Sequence, residues 1–171
     1  MKSLLSAMLL FVLAMPSIAF GGDIITKDDL LTRDGIYYKR FSNTPYTGKV
    51  TGIWQGNIVN GLIEGQWSVF LHSGELAFTR FMVRGKTHGQ EVGYNVNGTR
   101  SWETDSRHGV IIKHKEYNGI GQLESVTNYK DGNFHGERIE YNTKDGSIKC
   151  ISMYHKNKKV KSARIDIEPC N

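Results

Sequence analysis

Asn60-Gly61-Leu62-Ile63-Glu64-Gly65-Gln66-Trp67-Ser68-Val69-Phe70 is the stretch that decides the fold of this chain. The chain then turns at Ser73-Gly74 and returns through Glu75-Leu76 to Phe81. Asn-Gly and Asp-Gly, as at the later turns, are preferred tight-turn dipeptides, because both central residues must tolerate positive φ. Outward from this unit the same order recurs. Arg84-Gly85-Lys86-Thr87-His88-Gly89 leads to Val92-Gly93-Tyr94 and a turn at Asn97-Gly98. Asp131-Gly132-Asn133-Phe134-His135-Gly136 leads to Ile139-Glu140-Tyr141, a turn at Asp145-Gly146, and Ile148 through Tyr154. Between them lies a degenerate copy. There Asp105 stands for the first glycine, Arg107-His108-Gly109 supplies the second, and Ile112 and His114 lead to Asn118-Gly119-Ile120-Gly121. On this alignment the second glycines are 24, 20 and 27 residues apart, a period in the low twenties that marks an array.

Each unit reads as a β-hairpin. Val92, Tyr94 and Val96 alternate with Glu91, Gly93 and Asn95, as in a half-buried strand. Five residues after each second glycine stands a ring: Phe70, Tyr94, His114 and Tyr141. Two residues earlier come Ser68, Val92, Ile112 and Ile139. Residues two apart share a strand face, so the spacing predicts a stacked ladder along one side of the sheet. No helical period of useful length follows the first twenty residues.

The Gly-x-x-x-Gly, aromatic, turn, Leu/Ile, aromatic pattern resembles MORN repeats in their bacterial variant form, over about residues 52–157. Asp34-Gly35-Ile36-Tyr37-Tyr38 with Thr44-Pro45-Tyr46-Thr47-Gly48 is similar to the segment that often precedes them. The resemblance implies an all-β fold: an elongated, single-layer antiparallel sheet of consecutive β-hairpins. Residues 20–51 would form the lead-in and first hairpin, 52–157 the repeats, and 158–171 a basic C-terminal tail or cap. Each hairpin would advance the sheet by roughly 10 Å. A single sheet buries one face well, so the N-terminal segment Asp23 to Leu31, the C-terminal tail or a second copy is expected to cover the rest. The unit at residues 102–125 departs from the pattern, with its first glycine missing and His114 at the aromatic position.

Composition bounds the function. The chain has 171 residues, 39% hydrophobic and 11% aromatic, with 19 glycines, 3 prolines and 2 cysteines. Glycine excess without proline or a triplet period excludes collagen, and the aromatics exclude a disordered tract. Two cysteines exclude a disulfide-dense scaffold and a four-thiolate zinc site. Residues 1–19 read as a secretory signal peptide: Lys2 is the positive start, Leu4 to Met15 the apolar stretch, and Pro16-Ser17-Ile18-Ala19 the cleavage region. No cysteine follows to accept a lipid, so the expected product is exported, periplasmic or secreted. In an oxidising compartment Cys150 and Cys170 can pair, closing a loop of about 20 residues at roughly 3 kcal/mol. Two free thiols, or a bridge from Cys170 to another chain, stay open as alternatives.

Charge is uneven. Without Lys2 there are 21 basic and 17 acidic residues, and residues 20–148 carry 15 of each. The excess lies in Lys149, Lys156, Lys158, Lys159, Lys161 and Arg164, opposed there only by Asp166 and Glu168. Such a run binds anionic lipid or envelope surfaces, or is a solvated edge.

Chemical motifs are few. His88, His108 and His135 precede the second glycines, with Glu64 at the same place in the first unit. Equivalent places in neighbouring hairpins would be roughly 10 Å apart, too far to share one zinc, so neither a metal nor a cofactor is expected. Gly85-Lys86-Thr87 ends like a phosphate-binding loop, but Arg80 stands where its earlier glycine belongs. Asp28-Asp29 reads as a turn or helix cap, and Trp54, Trp67 and Trp102 as cross-strand packing. No catalytic residue is selected. The expected function is a noncatalytic, protein-binding repeat surface. The resemblance adds an immunity or antitoxin-like antagonist role as one form of it. The alternative is an envelope- or lipid-associated protein acting through Lys156, Lys158, Lys159, Lys161 and Arg164. A glycan enzyme is the third reading, with nothing to select its carboxylate. Homo-oligomers are compatible with all three, and nucleic acid is not an expected partner.

Overall fold

Two kinds of turn alternate along the chain and set its architecture. The computed structural model describes residues 23–164, so residues 1–19, expected to be a signal peptide, and Cys170 lie outside the described residues. At Asp34-Gly35, Asn60-Gly61, Arg84-Gly85, His108-Gly109 and Asp131-Gly132 both residues have positive φ, 48–51° in the first and 72–82° in the second. These are the two-residue turns whose twist matches that of paired strands. The opposite sheet edge carries longer loops, closed by Leu71 N–H to Glu75 O, Asn95 to Thr99, Asn118 to Gln122 and Asn142 to Ser147, at 2.8–2.9 Å.

Between the turns run β1 (Ile24–Thr26), β2 (Leu30–Arg33), β3 (Ile36–Lys39), β4 (Gly48–Thr51), β5 (Trp54–Val59), β6 (Leu62–Phe70) and β7 (Leu76–Val83). They continue as β8 (Lys86–Tyr94), β9 (Arg100–Arg107), β10 (Val110–Tyr117), β11 (Leu123–Lys130), β12 (Asn133–Tyr141), β13 (Ile148–His155) and β14 (Lys158–Arg164). Twelve strands form one sheet in the order β1-β4-β5 and onward consecutively to β14, while β2 and β3 pair separately. The expected all-β sheet of consecutive antiparallel hairpins is therefore present. Its one parallel pair among the described residues is β1 with β4. The expected boundary at residue 157 falls in the turn before β14, which extends the sheet.

The third repeat differs from its expected alignment. Gly109 is a tight-turn glycine, equivalent to Gly61, Gly85 and Gly132, and these lie 24, 24 and 23 residues apart. In β8 the four-residue step from Thr87 to Glu91 opposes the two-residue step from Met82 to Arg80, with the left-handed Gly89 in the excess. Gly65 and Gly136 do the same in β6 and β12. In β10, Lys113 replaces that glycine, and only one extra residue is absorbed, between Ile111 and Lys113. β10 is thus one residue shorter, 8 against 9. Reading Gly109 as the second glycine put His114 in the ladder with Phe70, Tyr94 and Tyr141. Tyr117 holds that place instead.

The register defines two sheet faces. Ser68, Thr79, Val92, Glu103, Lys115, Val126, Ile139 and Ile151 are successive partners on one face, followed two residues along even-numbered strands by Phe70, Tyr94, Tyr117 and Tyr141. The other face carries Ile58, Ile63, Trp67, Met82, Thr104, Ser106, Ser125, Thr127, Cys150 and Ser152, all 0–7% exposed. The first face has only Val92 and Glu103 so deeply buried in these repeat strands. Small side chains hidden where no other described element covers them mark the inner face of a curved sheet, where longer neighbours converge.

The N-terminal segment covers one end of the inner face. Ile25, Leu30, Tyr46, Val50, Ile58, Ile63, Trp67 and Met82 form the hydrophobic cluster, with Tyr37, Trp54 and Val69 against it. Asp28 and Asp29 lie in a single 3-10 turn, Lys27–Asp29, and Asp29 Oδ2 accepts from Thr26 N–H and Oγ1–H at 2.9 and 2.8 Å. Tyr37 N–H donates to Gly61 O at 2.8 Å, tying β3 to the first repeat turn.

Candidate functional site

Beyond that cover, the inner face turns polar. Trp67, Arg80, Glu91, Thr104, His114, Thr127, Arg138 and Ser152 are successive register partners from β6 to β13. Trp67, Glu91 and Arg138 each stand six residues after a tight-turn glycine, and His114 stands five after its own. One repeat position therefore holds four different chemistries. It ends the apolar core at Trp67 and begins a polar row.

Neighbours in the row touch. An Arg80 Nη1 lies 3.8 Å from Glu91 Oε1. The Thr104 hydroxyl and His114 Nδ1 are 2.8 Å apart. Arg138 Nη1 donates to Thr127 Oγ1 at 3.4 Å, while its Nε reaches Glu140 Oε1 at 3.4 Å and its Nη2 lies 3.7 Å from Glu116 Oε2. Glu116 also accepts from the Ser125 hydroxyl at 2.6 Å. One guanidinium thus holds two carboxylates in place across β10 and β12.

Two open grooves lie along this row. One, of about 780 Å³, includes Glu91, Trp102, Thr104, His114, Glu116 and Tyr129 in its lining. The other, of about 610 Å³, includes Glu116, Glu124, Ser125, Arg138, Glu140 and Lys149. Glu116 belongs to both. Trp102 stacks along His114, with ring centroids 6.4 Å apart, and lies over Gly93, where a Cβ would overlap its ring. The combined lining is more acidic than basic, with Glu91, Glu116, Glu124 and Glu140 against Arg138 and Lys149.

The outer face carries a buried carboxylate. Glu103, 3% exposed, accepts from Lys115 Nζ at 2.8 Å, Arg100 Nη1 at 2.5 Å and Gln90 Nε2 at 3.4 Å. Burial pushes its carboxyl up. The Lys115 hydrogen bond and charge, joined by Tyr117 and Arg100, outweigh burial and hold it below the usual carboxylate range.

The residues singled out from sequence are dispersed. Phe70, Tyr94 and Tyr141 share the outer face, and His114 is on the inner one. Trp54 and Trp67 belong to the N-terminal cluster, in edge contact with centroids 6.0 Å apart. Lys156, Lys158 and Lys159 are exposed at the last tight turn and on β14. Lys161 and Arg164 pair with Met153 and Cys150 in the backbone register. Cys150 is buried on β13, and the expected partner Cys170 lies outside the described residues.

The histidines depart from the expected 10 Å spacing. His88 and His108 have ring centroids 4.9 Å apart, and His135 and His155 have centroids 5.0 Å apart. His108 is a turn residue, not the counterpart of His88, which removes the premise of equal spacing. Arg80, Glu91, Thr104, Glu116 and Arg138 went unread as a set. An alignment on the tight-turn glycines brings Glu91 and Arg138 into one column, and His114 joins them only once the one-residue deficit of β10 is taken into account. Compared with models of known families and with curated proteins, the chain matches none.

Proposed function

We propose that this chain is an exported, noncatalytic binding protein whose inner sheet face receives an extended, basic segment of a protein partner. One observation carries the reading: Glu91, Thr104, His114 and Arg138 of the polar row line open grooves beyond the N-terminal cover, beside Glu116, Glu124 and Glu140. Glu116 and Glu140 are held by Arg138, so their ordering cost is met before binding. Trp102 and Tyr129 supply apolar surface beside the carboxylates, a combination that suits long cationic side chains. An immunity or antitoxin-like antagonist is the specific form of this role that the resemblance to MORN-variant proteins favours.

Immobilised protein should capture a partner from the native envelope in a salt-sensitive manner. Replacing Glu116 and Glu124 by Lys should abolish capture, while replacing Lys158 and Lys159 by Gln should leave it intact. Capture insensitive to the groove changes but lost with the lysines would overturn this reading in favour of an anionic envelope surface.

A further inference from the structure

We infer that the two outer-face histidine pairs, His88 with His108 and His135 with His155, each bind a late first-row divalent cation, namely Cu(II), Ni(II) or Zn(II). Imidazole suits these ions, and its nitrogen coordinates at about 2.1 Å. That places a ring centre roughly 3.2 Å from the ion. Two rings on adjacent coordination corners, 90–109° apart, then have centroids roughly 4.5–5.2 Å apart. The observed separations are 4.9 and 5.0 Å, with interplanar angles of 55° and 53°. The same geometry occurs twice.

The backbone builds each pair at the tight-turn edge. His88 stands three residues after Gly85 and His135 three residues after Gly132, on equivalent even-numbered strands. Their partners come from the following hairpin by different routes. His155 lies just beyond the Gly136–Tyr154 register pair, directly across from His135. His108 reaches back from the first position of its turn, where its φ is 51°. The β8–β9 and β12–β13 registers match, so the difference lies in the sequence: Arg107, one residue before His108, stands across from His88 where His155 stands across from His135. His88 Nδ1 is shut from solvent and has no hydrogen-bond partner in the structure, a cost that a metal–nitrogen bond would remove. His108 and His155 are exposed, so solvent reaches each pair. No third His, Cys, Asp or Glu joins either pair among the described residues. Water would complete the coordination, and the paired imidazole nitrogens disfavour hard cations such as calcium and magnesium, which take oxygen ligands.

Titration of the purified protein with Cu(II), read by calorimetry and by electron paramagnetic resonance, tests this. Two ions should bind per chain, each with hyperfine coupling to two imidazole nitrogens. His88→Ala should remove one ion and His135→Ala the other, and the double variant should bind neither. His108→Asn keeps a residue that tolerates the left-handed turn, and His155→Gln changes only an exposed side chain. Each should weaken its own site about tenfold or more while circular dichroism stays unchanged. Undiminished binding in the double variant, coupling to a single nitrogen, or no binding in the micromolar range would overturn the proposal.

Discussion

At the scale of single residues, small side chains are fixed by the large ones opposite them. Gly93 is the seat of Trp102, and a methyl group there meets the indole directly. Gly93→Ala is expected to cost about 1–3 kcal/mol through overpacking, with an altered near-ultraviolet dichroism from the displaced ring. Gly89→Ala is a useful contrast, because open space surrounds it and only its φ of 80° opposes a side chain. It should cost roughly 1–2 kcal/mol and leave the aromatic signal unchanged. Glu103 gives a pH-dependent prediction. Its carboxyl is held below the ordinary value, so its contribution is complete above about pH 4.3 and fades as pH falls through the depressed folded value. Glu103→Gln should lose about 1–3 kcal/mol at neutral pH, and urea titrations should show the gap closing under acid. A gap that stays constant from pH 7 to pH 3 would contradict this assignment.

At the scale of elements, the hairpin is the repeating unit and the tight turn is its fixed point. The Gly85 N–H donates to Ile63 O, and the Gly109 N–H to Thr87 O, so each turn is bonded to the preceding hairpin at 3.0 and 2.8 Å. Arg84 holds a φ of 49° at the first turn position, which asparagine tolerates better than arginine. Its N–H bond to Glu64 Oε2, at 2.7 Å, comes from the backbone and survives substitution. Arg84→Asn is therefore expected to raise stability by about 0.5–1 kcal/mol, measurable as a higher urea midpoint at unchanged slope. The hairpin frame was legible from Asn-Gly and Asp-Gly. The third repeat was not, because turn glycines and bulge glycines have the same one-letter identity and differ only in what the backbone does around them.

At the scale of the whole molecule, the sheet has to end without recruiting another chain. At one end β1 is only three residues long, and Tyr46 anchors it through its hydroxyl to the Asp23 carbonyl. At the other, β14 begins Lys158-Lys159 with both side chains exposed. Lysines on an edge strand oppose strand addition, which accounts for part of the basic C-terminal excess. Replacing Lys158 and Lys159 by Thr should produce concentration-dependent self-association in sedimentation velocity, while the wild-type protein remains unchanged over the same range. Equal sedimentation of the two would show that the lysines have no such role.

By itself the sequence determined the all-β secondary structure, the hairpin succession and the longer loop turns such as those at Asn97-Gly98 and Asp145-Gly146, since turn chemistry and strand alternation are local properties. Tertiary structure decided which residues meet. A single residue missing from β10 placed His114 beside Thr104 and gave Tyr117 the ladder position. Thr127 and Ser152 are buried on a face where no other described element covers them, as convergence of longer neighbours on a curved sheet would produce. Strand pairing brought Arg138 to Glu116 and joined histidines twenty residues apart. Those contacts depend on register summed over many strands, and register is a cooperative property that no local motif encodes.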